Sequence, residues 1–72
     1  MKELETIELL LDGQAHAAPR GTTLAALVAG LGHAPEKVTT AVNGLFVARS
    51  QRENHVLQPG DAVLLFRPIE GG

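Results

Sequence analysis

The chain has 72 residues, with six Lys or Arg, eight Asp or Glu and a formal net charge of -2. That length suffices for one compact domain with a small core and leaves little room for a deep catalytic cleft. At 44% apolar residues the chain is too hydrophobic for a disordered segment, and without cysteine it has no disulfide, thiolate nucleophile or zinc-finger pattern. The balanced charge and the presence of only two aromatic residues, Phe46 and Phe66, argue against nucleic-acid binding. The apolar run Leu9-Leu10-Leu11 is too short for a signal core or a membrane span, so the expected setting is cytoplasmic, with no membrane partner.

Ile7, Leu9 and Leu11 recur every second residue with Thr6 and Glu8 between them, which predicts a strand over 6–11 with one buried face. Asp12-Gly13 accepts the positive φ angles of a tight turn, and 14–18 returns as a weaker, alanine-rich strand that Pro19-Arg20-Gly21 ends. Thr22 is the expected cap of the one convincing helix. Its apolar positions are Leu24, Leu27, Val28 and Leu31, and Gly30 and Gly32 stand ready to stop it. After a loop through Pro35, Asn43-Gly44 between 38–42 and 45–48 is the strongest hairpin signal in the chain. Residues 49–57 read as a polar, irregular connection, and Gln58-Pro59-Gly60-Asp61 reads as a turn that Asp61 closes. A last strand over 62–67 is ended by Pro68.

With no repeat and no linker, this is one domain over 1–67 followed by a short tail, 68–72. The expected class is α+β, a mixed sheet of about five strands with one main helix on one face. Spacing alone leaves the position of the last strand open. Ala62-Val63-Leu64-Leu65-Phe66 is apolar on both parities, although a sheet covered on one face should alternate. Assigning Val63 and Leu65 to the core leaves Leu64 and Phe66 on the open face. Leu45-Phe46-Val47 shows the same excess, so one of its parities, with Phe46 the candidate, joins them. A contiguous patch of this kind marks a partner surface.

Groups for catalysis are scarce. His16, His33 and His55 lack ligand spacing and read as solvent-exposed loop or turn residues, Ser50 has no nucleophile elbow, and there is no phosphate-binding glycine loop. No metal, bound cofactor or enzymatic constellation is expected. The candidate reactive group is the carboxylate behind Gly71-Gly72, where the missing Cβ lets the chain enter a narrow channel that bulkier residues could not.

Ala41-Val42-Asn43-Gly44, Val47-Ala48-Arg49-Ser50-Gln51, Leu57-Gln58-Pro59-Gly60-Asp61, the strand at 63–67 and the closing Gly71-Gly72 together resemble the ThiS family, the sulfur carriers of thiamine biosynthesis. The resemblance runs from about the helix to the end of the chain. It implies the ubiquitin-like β-grasp fold, with the last strand between the two hairpins. It also implies a protein co-substrate rather than an enzyme. An E1-like adenylating enzyme would use ATP to adenylate the carboxylate of Gly72, a persulfide on a sulfur donor protein would attack, and reduction would leave a thiocarboxylate. Thiazole synthase would accept the sulfur. In that reading Pro68, Ile69, Glu70 and Gly71 give the tail access to the partner's active site, and Leu64, Phe66 and Phe46 dock the partner. Two neighbouring readings stay open. Phe66-Arg67-Pro68 is also similar to the small subunit of molybdopterin synthase, which commonly ends Phe-x-Pro-x-x-Gly-Gly, and Glu70 stands where ThiS members often carry a small residue. A ubiquitin-like protein modifier would share the activation step and transfer the carboxylate to lysines.

Overall fold

The computed structural model describes residues 5–67. The predicted tail, Pro68, Ile69, Glu70, Gly71 and Gly72, lies outside the described residues. Strand β1 (Thr6–Leu11) buries Ile7 and Leu9 and pairs antiparallel with β2 (Gln14–Pro19). Both residues of the turn between them, Asp12 and Gly13, have positive φ (52° and 85°), the requirement that a two-residue hairpin places on its sequence. β2 runs one residue beyond expectation, to Pro19, which an edge strand tolerates because a proline there withholds no needed donor.

Helix α1 (Leu24–Gly30) buries Leu24, Leu27 and Val28 against the sheet. Its cap is Thr23 and not the expected Thr22: the Thr23 hydroxyl accepts from the Ala26 amide at 3.1 Å. Thr22 is committed elsewhere. Its hydroxyl donates to the Pro19 carbonyl at 2.7 Å, and its own carbonyl accepts from the Leu57 amide. Leu31, expected on the buried stripe, is the C-cap residue and lies at the exposed end. Thr23→Ala is expected to cost about 1 kcal/mol in urea denaturation, the usual value of such a cap, and to cost more than Thr22→Ala. The reverse order would overturn the assignment.

Two 3₁₀ segments follow where connections were expected, Pro35–Lys37 and Arg49–Asn54. Between them the second hairpin joins β3 (Thr39–Val42) to β4 (Leu45–Val47), again through two positive-φ residues, Asn43 and Gly44. β5 (Ala62–Phe66) completes a five-stranded mixed sheet in the order β2-β1-β5-β3-β4. The last strand is therefore central, parallel to β1 and antiparallel to β3. Ile7, Leu9, Leu24, Val28, Leu57 and Val63 form the heart of the core, with Leu65 packed at its margin. Among the described residues the sheet's other face carries no helix. This is the two-layer α+β architecture of a β-grasp domain. Among the described residues no helix is long and apolar enough to cross a membrane.

Candidate functional site

The open face is built by register. Ala41 of β3 stands opposite Phe46 of β4 on one side and Leu64 of β5 on the other, so the three lie in one row across the sheet. Thr39 pairs with Phe66, which places that ring one step nearer the carboxyl end of β5. Phe46, Leu64 and Phe66 keep 68%, 39% and 52% of their surface exposed, while Val63 beside them is fully buried. The expected parity of β5 holds: Val63 and Leu65 turn inward, Leu64 and Phe66 outward. Leu10 of β1, opposite Ala62, extends the same face toward the first hairpin. Leu45 is also exposed, although Val47, two residues on, is buried, because Leu45 follows directly on the turn.

The carboxyl end of β5 leads out of this face. β1 has already turned back at Asp12, so beyond Val63 the parallel pairing stops, and the Asp12 carboxylate accepts from the Leu65 amide at 3.1 Å in place of a strand. On the opposite side β3 accompanies β5 as far as Phe66. Arg67 then follows, exposed. The start of β5 is held by two motifs that look separate in the sequence. The Asn43 side chain donates to Asp61 Oδ1 and accepts from the Ala62 amide, both at 3.0 Å, while Asp61 Oδ2 accepts from the Gln58 amide at 2.8 Å. The Asn-Gly turn and the Pro-Gly-Asp turn are thus one clasp that fixes where β5 begins.

Sequence reasoning missed Arg52. Residues 49–57 read as polar and irregular, yet Arg52 is only 3% exposed. Its Nε donates to Thr40 Oγ1 at 3.0 Å, Nη1 to the Pro35 carbonyl at 3.0 Å and Nη2 to the Val38 carbonyl at 2.7 Å. Thr40 in turn donates to the Val47 carbonyl at 2.9 Å. The guanidinium thus ties the second 3₁₀ segment to the first and to the start of β3, and through the Thr40 hydroxyl to β4. Burial, and then the neighbouring Arg49 charge, push its pKa below the ordinary arginine value. It stays protonated at neutral pH regardless.

The three histidines are half-buried rather than exposed, and His16 lies within β2 rather than in a loop. Its register opposite Leu9 turns it toward the helix side of the sheet. No group of three metal-ligating side chains occurs among the described residues.

Comparison with known proteins agrees with this geometry. The chain matches the ThiS family over residues 4–72, a longer stretch than the resemblance from the helix onward. It is 33% identical over 66 residues to the sulfur carrier protein ThiS of Escherichia coli strain K12, covering 92% of this chain and all of that protein. It is 41% identical over 66 residues to a thiazole synthase of Magnetococcus marinus, but spans only 20% of that protein's length. In fold it is similar to the crystal structure of a thiamine biosynthesis protein (ThiS) from Geobacter metallireducens, with a TM-score of 0.79 at 23% identity over 92% of this chain and all of the other. A designed protein based on human erythrocytic ubiquitin follows at a TM-score of 0.56 and 23% identity, covering 96% of this chain and 98% of that one. The chain belongs to the ThiS family, the sulfur carrier proteins of thiamine biosynthesis, and has their ubiquitin-like β-grasp fold.

Proposed function

We propose that the carrier chemistry takes place at the carboxyl group of Gly72. The observation that supports this most directly is the family match, which extends through Gly71-Gly72 to residue 72. A carboxylate is a poor electrophile, so it must be activated before sulfur can enter. In the proposed sequence an E1-like partner uses ATP: the Gly72 carboxylate attacks the α-phosphorus, pyrophosphate leaves, and an acyl-adenylate forms. The terminal sulfur of a persulfide on a donor protein then attacks the carbonyl carbon and AMP leaves, giving an acyl disulfide. Two-electron reduction by a thiol cleaves the S–S bond and leaves the thiocarboxylate. In this reading the chain is a co-substrate, and the partner supplies the ATP site and the groups that handle protons.

The open face supplies the docking surface in this reading. Phe46, Leu64 and Phe66 are exposed apolar residues of one sheet face beside the strand end that leads to the tail, which suits a partner that must hold the domain while its active site receives the last residues. Thiazole synthase is the proposed sulfur acceptor. The Magnetococcus marinus relative favours it, since a protein of that name carries a segment similar to this chain within a fifth of its own length. The thiamine relatives favour this reading over the molybdopterin one.

The test is intact-mass analysis of the chain after incubation with ATP, the adenylating enzyme and a persulfide donor. A gain equal to replacing one oxygen by sulfur, mapped to the carboxyl-terminal peptide, is the expected result. An unchanged mass would overturn the proposal, and lysine-linked adducts would favour the protein-modifier class instead.

A further inference from the structure

Arg49 and Arg52 lie on one 3₁₀ segment, close enough for the charge of Arg49 to act on Arg52. Among the described residues neither has a carboxylate partner, since the one ion pair there joins Arg20 to Glu5. The bonds to Thr40, Pro35 and Val38 use three of the five N–H groups of Arg52, and the other two have no acceptor among the described residues. Both arginines line a groove of about 340 Å³ together with Pro35, Glu36, Thr39 and Phe46. Phe46 joins this groove to the open sheet face. Thr39, opposite Phe66, puts the groove at the end of the sheet from which Arg67 leads on to the tail.

Two neighbouring guanidinium groups repel, and bringing one of them out of water adds to the cost. Among the described residues neither guanidinium is paired with a carboxylate, and against Arg49 and Arg52 the groove wall carries only Glu36, so the groove keeps a positive charge that a carboxylate from outside can complement. A planar carboxylate is the acceptor that matches a guanidinium fork, with the Thr39 hydroxyl at hand as a further donor. We infer that this groove receives a carboxylate side chain of the adenylating partner docked on the open face, with Arg49 as the pairing residue and Arg52 as its fixed floor. The inference rests on the proposed carrier function and deepens it. Apolar contact on the open face supplies area, and the charge pair fixes the rotation of the domain so that the tail faces the active site.

The experiment is calorimetric binding of the full chain to the adenylating enzyme at low ionic strength, without ATP. Arg49→Ala is expected to weaken affinity about tenfold and Arg49→Glu about a hundredfold, with the gap narrowing as salt is added. Arg49→Lys should fall between wild type and Arg49→Ala, because it keeps the charge and loses the fork. Glu36, on the groove wall, repels the same carboxylate, so Glu36→Gln should tighten binding. Arg49 is exposed and its side chain makes no hydrogen bond among the described residues, so unchanged thermal melts of its variants serve as the folding control. If the wild-type chain binds and acquires sulfur while Arg49→Glu binds within about a factor of two of it, the groove assignment falls and the carrier function stands. A wild-type chain that neither binds nor acquires sulfur overturns both.

Discussion

Replacing Arg52 with alanine is expected to remove about 3–5 kcal/mol of folding stability. A domain of this length has roughly 4–11 kcal/mol in total, so the variant should be largely unfolded at moderate urea concentrations where the wild type is intact. The cause is orphaned acceptors more than lost charge. The Val38 carbonyl and the Thr40 hydroxyl are buried, and each loses a charge-assisted donor that water cannot replace without opening the hairpin. Arg52→Met separates this cause from packing. It keeps most of the apolar stem but none of the donors, so it should be nearly as destabilised as alanine. If methionine restores wild-type stability, or if alanine costs less than about 1 kcal/mol, the hydrogen-bonded staple is not what holds the second hairpin to the 3₁₀ segment. Arg52→Lys should also fall well short, since a single ammonium cannot reach three acceptors arranged around a planar fork.

That residue also marks the limit of what the sequence discloses. Both hairpins were legible because Asp12-Gly13 and Asn43-Gly44 state a local demand, positive φ at two successive positions, and the structure meets it at each. The exposed apolar residues of β5 were legible for a different reason: 62–66 has more apolar residues than one covered face can absorb, so Leu64 and Phe66 had to point outward. Leu10 was not among the residues expected on that face, although Leu9-Leu10-Leu11 shows the same excess, with Leu9 buried and Leu10 exposed. Arg52 gave no such signal. Its three acceptors lie 12, 14 and 17 residues away, and a short 3₁₀ segment imposes no helical period from which burial could be read. The choice of Thr23 over Thr22 as cap was hidden likewise. Two adjacent threonines are locally equivalent, and only the turn after β2, which takes the Thr22 hydroxyl, decides between them. The central place of β5 followed from the family resemblance and not from spacing, because a parallel pairing with β1 across some fifty residues leaves no local mark.

Appending one alanine after Gly72 is expected to abolish thiocarboxylate formation altogether, the largest effect proposed for this chain. The extension leaves the described domain untouched, so docking through Phe46, Leu64 and Phe66 should persist and binding affinity should change little. What changes is the reacting group. The carboxylate of Gly72 becomes an amide, which cannot attack ATP, and the new terminal carboxylate is displaced by about 3.5 Å along the chain. Misplacing a reacting atom by only 1 Å can cost about a hundredfold in rate, so the displaced group should not substitute. Gly71→Ala probes the other half of the proposal. It leaves the Gly72 carboxylate in place and adds one methyl group where the backbone must pass a narrow channel, so turnover should fall while some product still forms. Intact-mass analysis under the same conditions reads both variants. Full sulfur loading of the extended chain would show that the terminus is not the reacting group, whereas full loading of Gly71→Ala would leave the terminus in place and remove the argument that the diglycine is there for clearance.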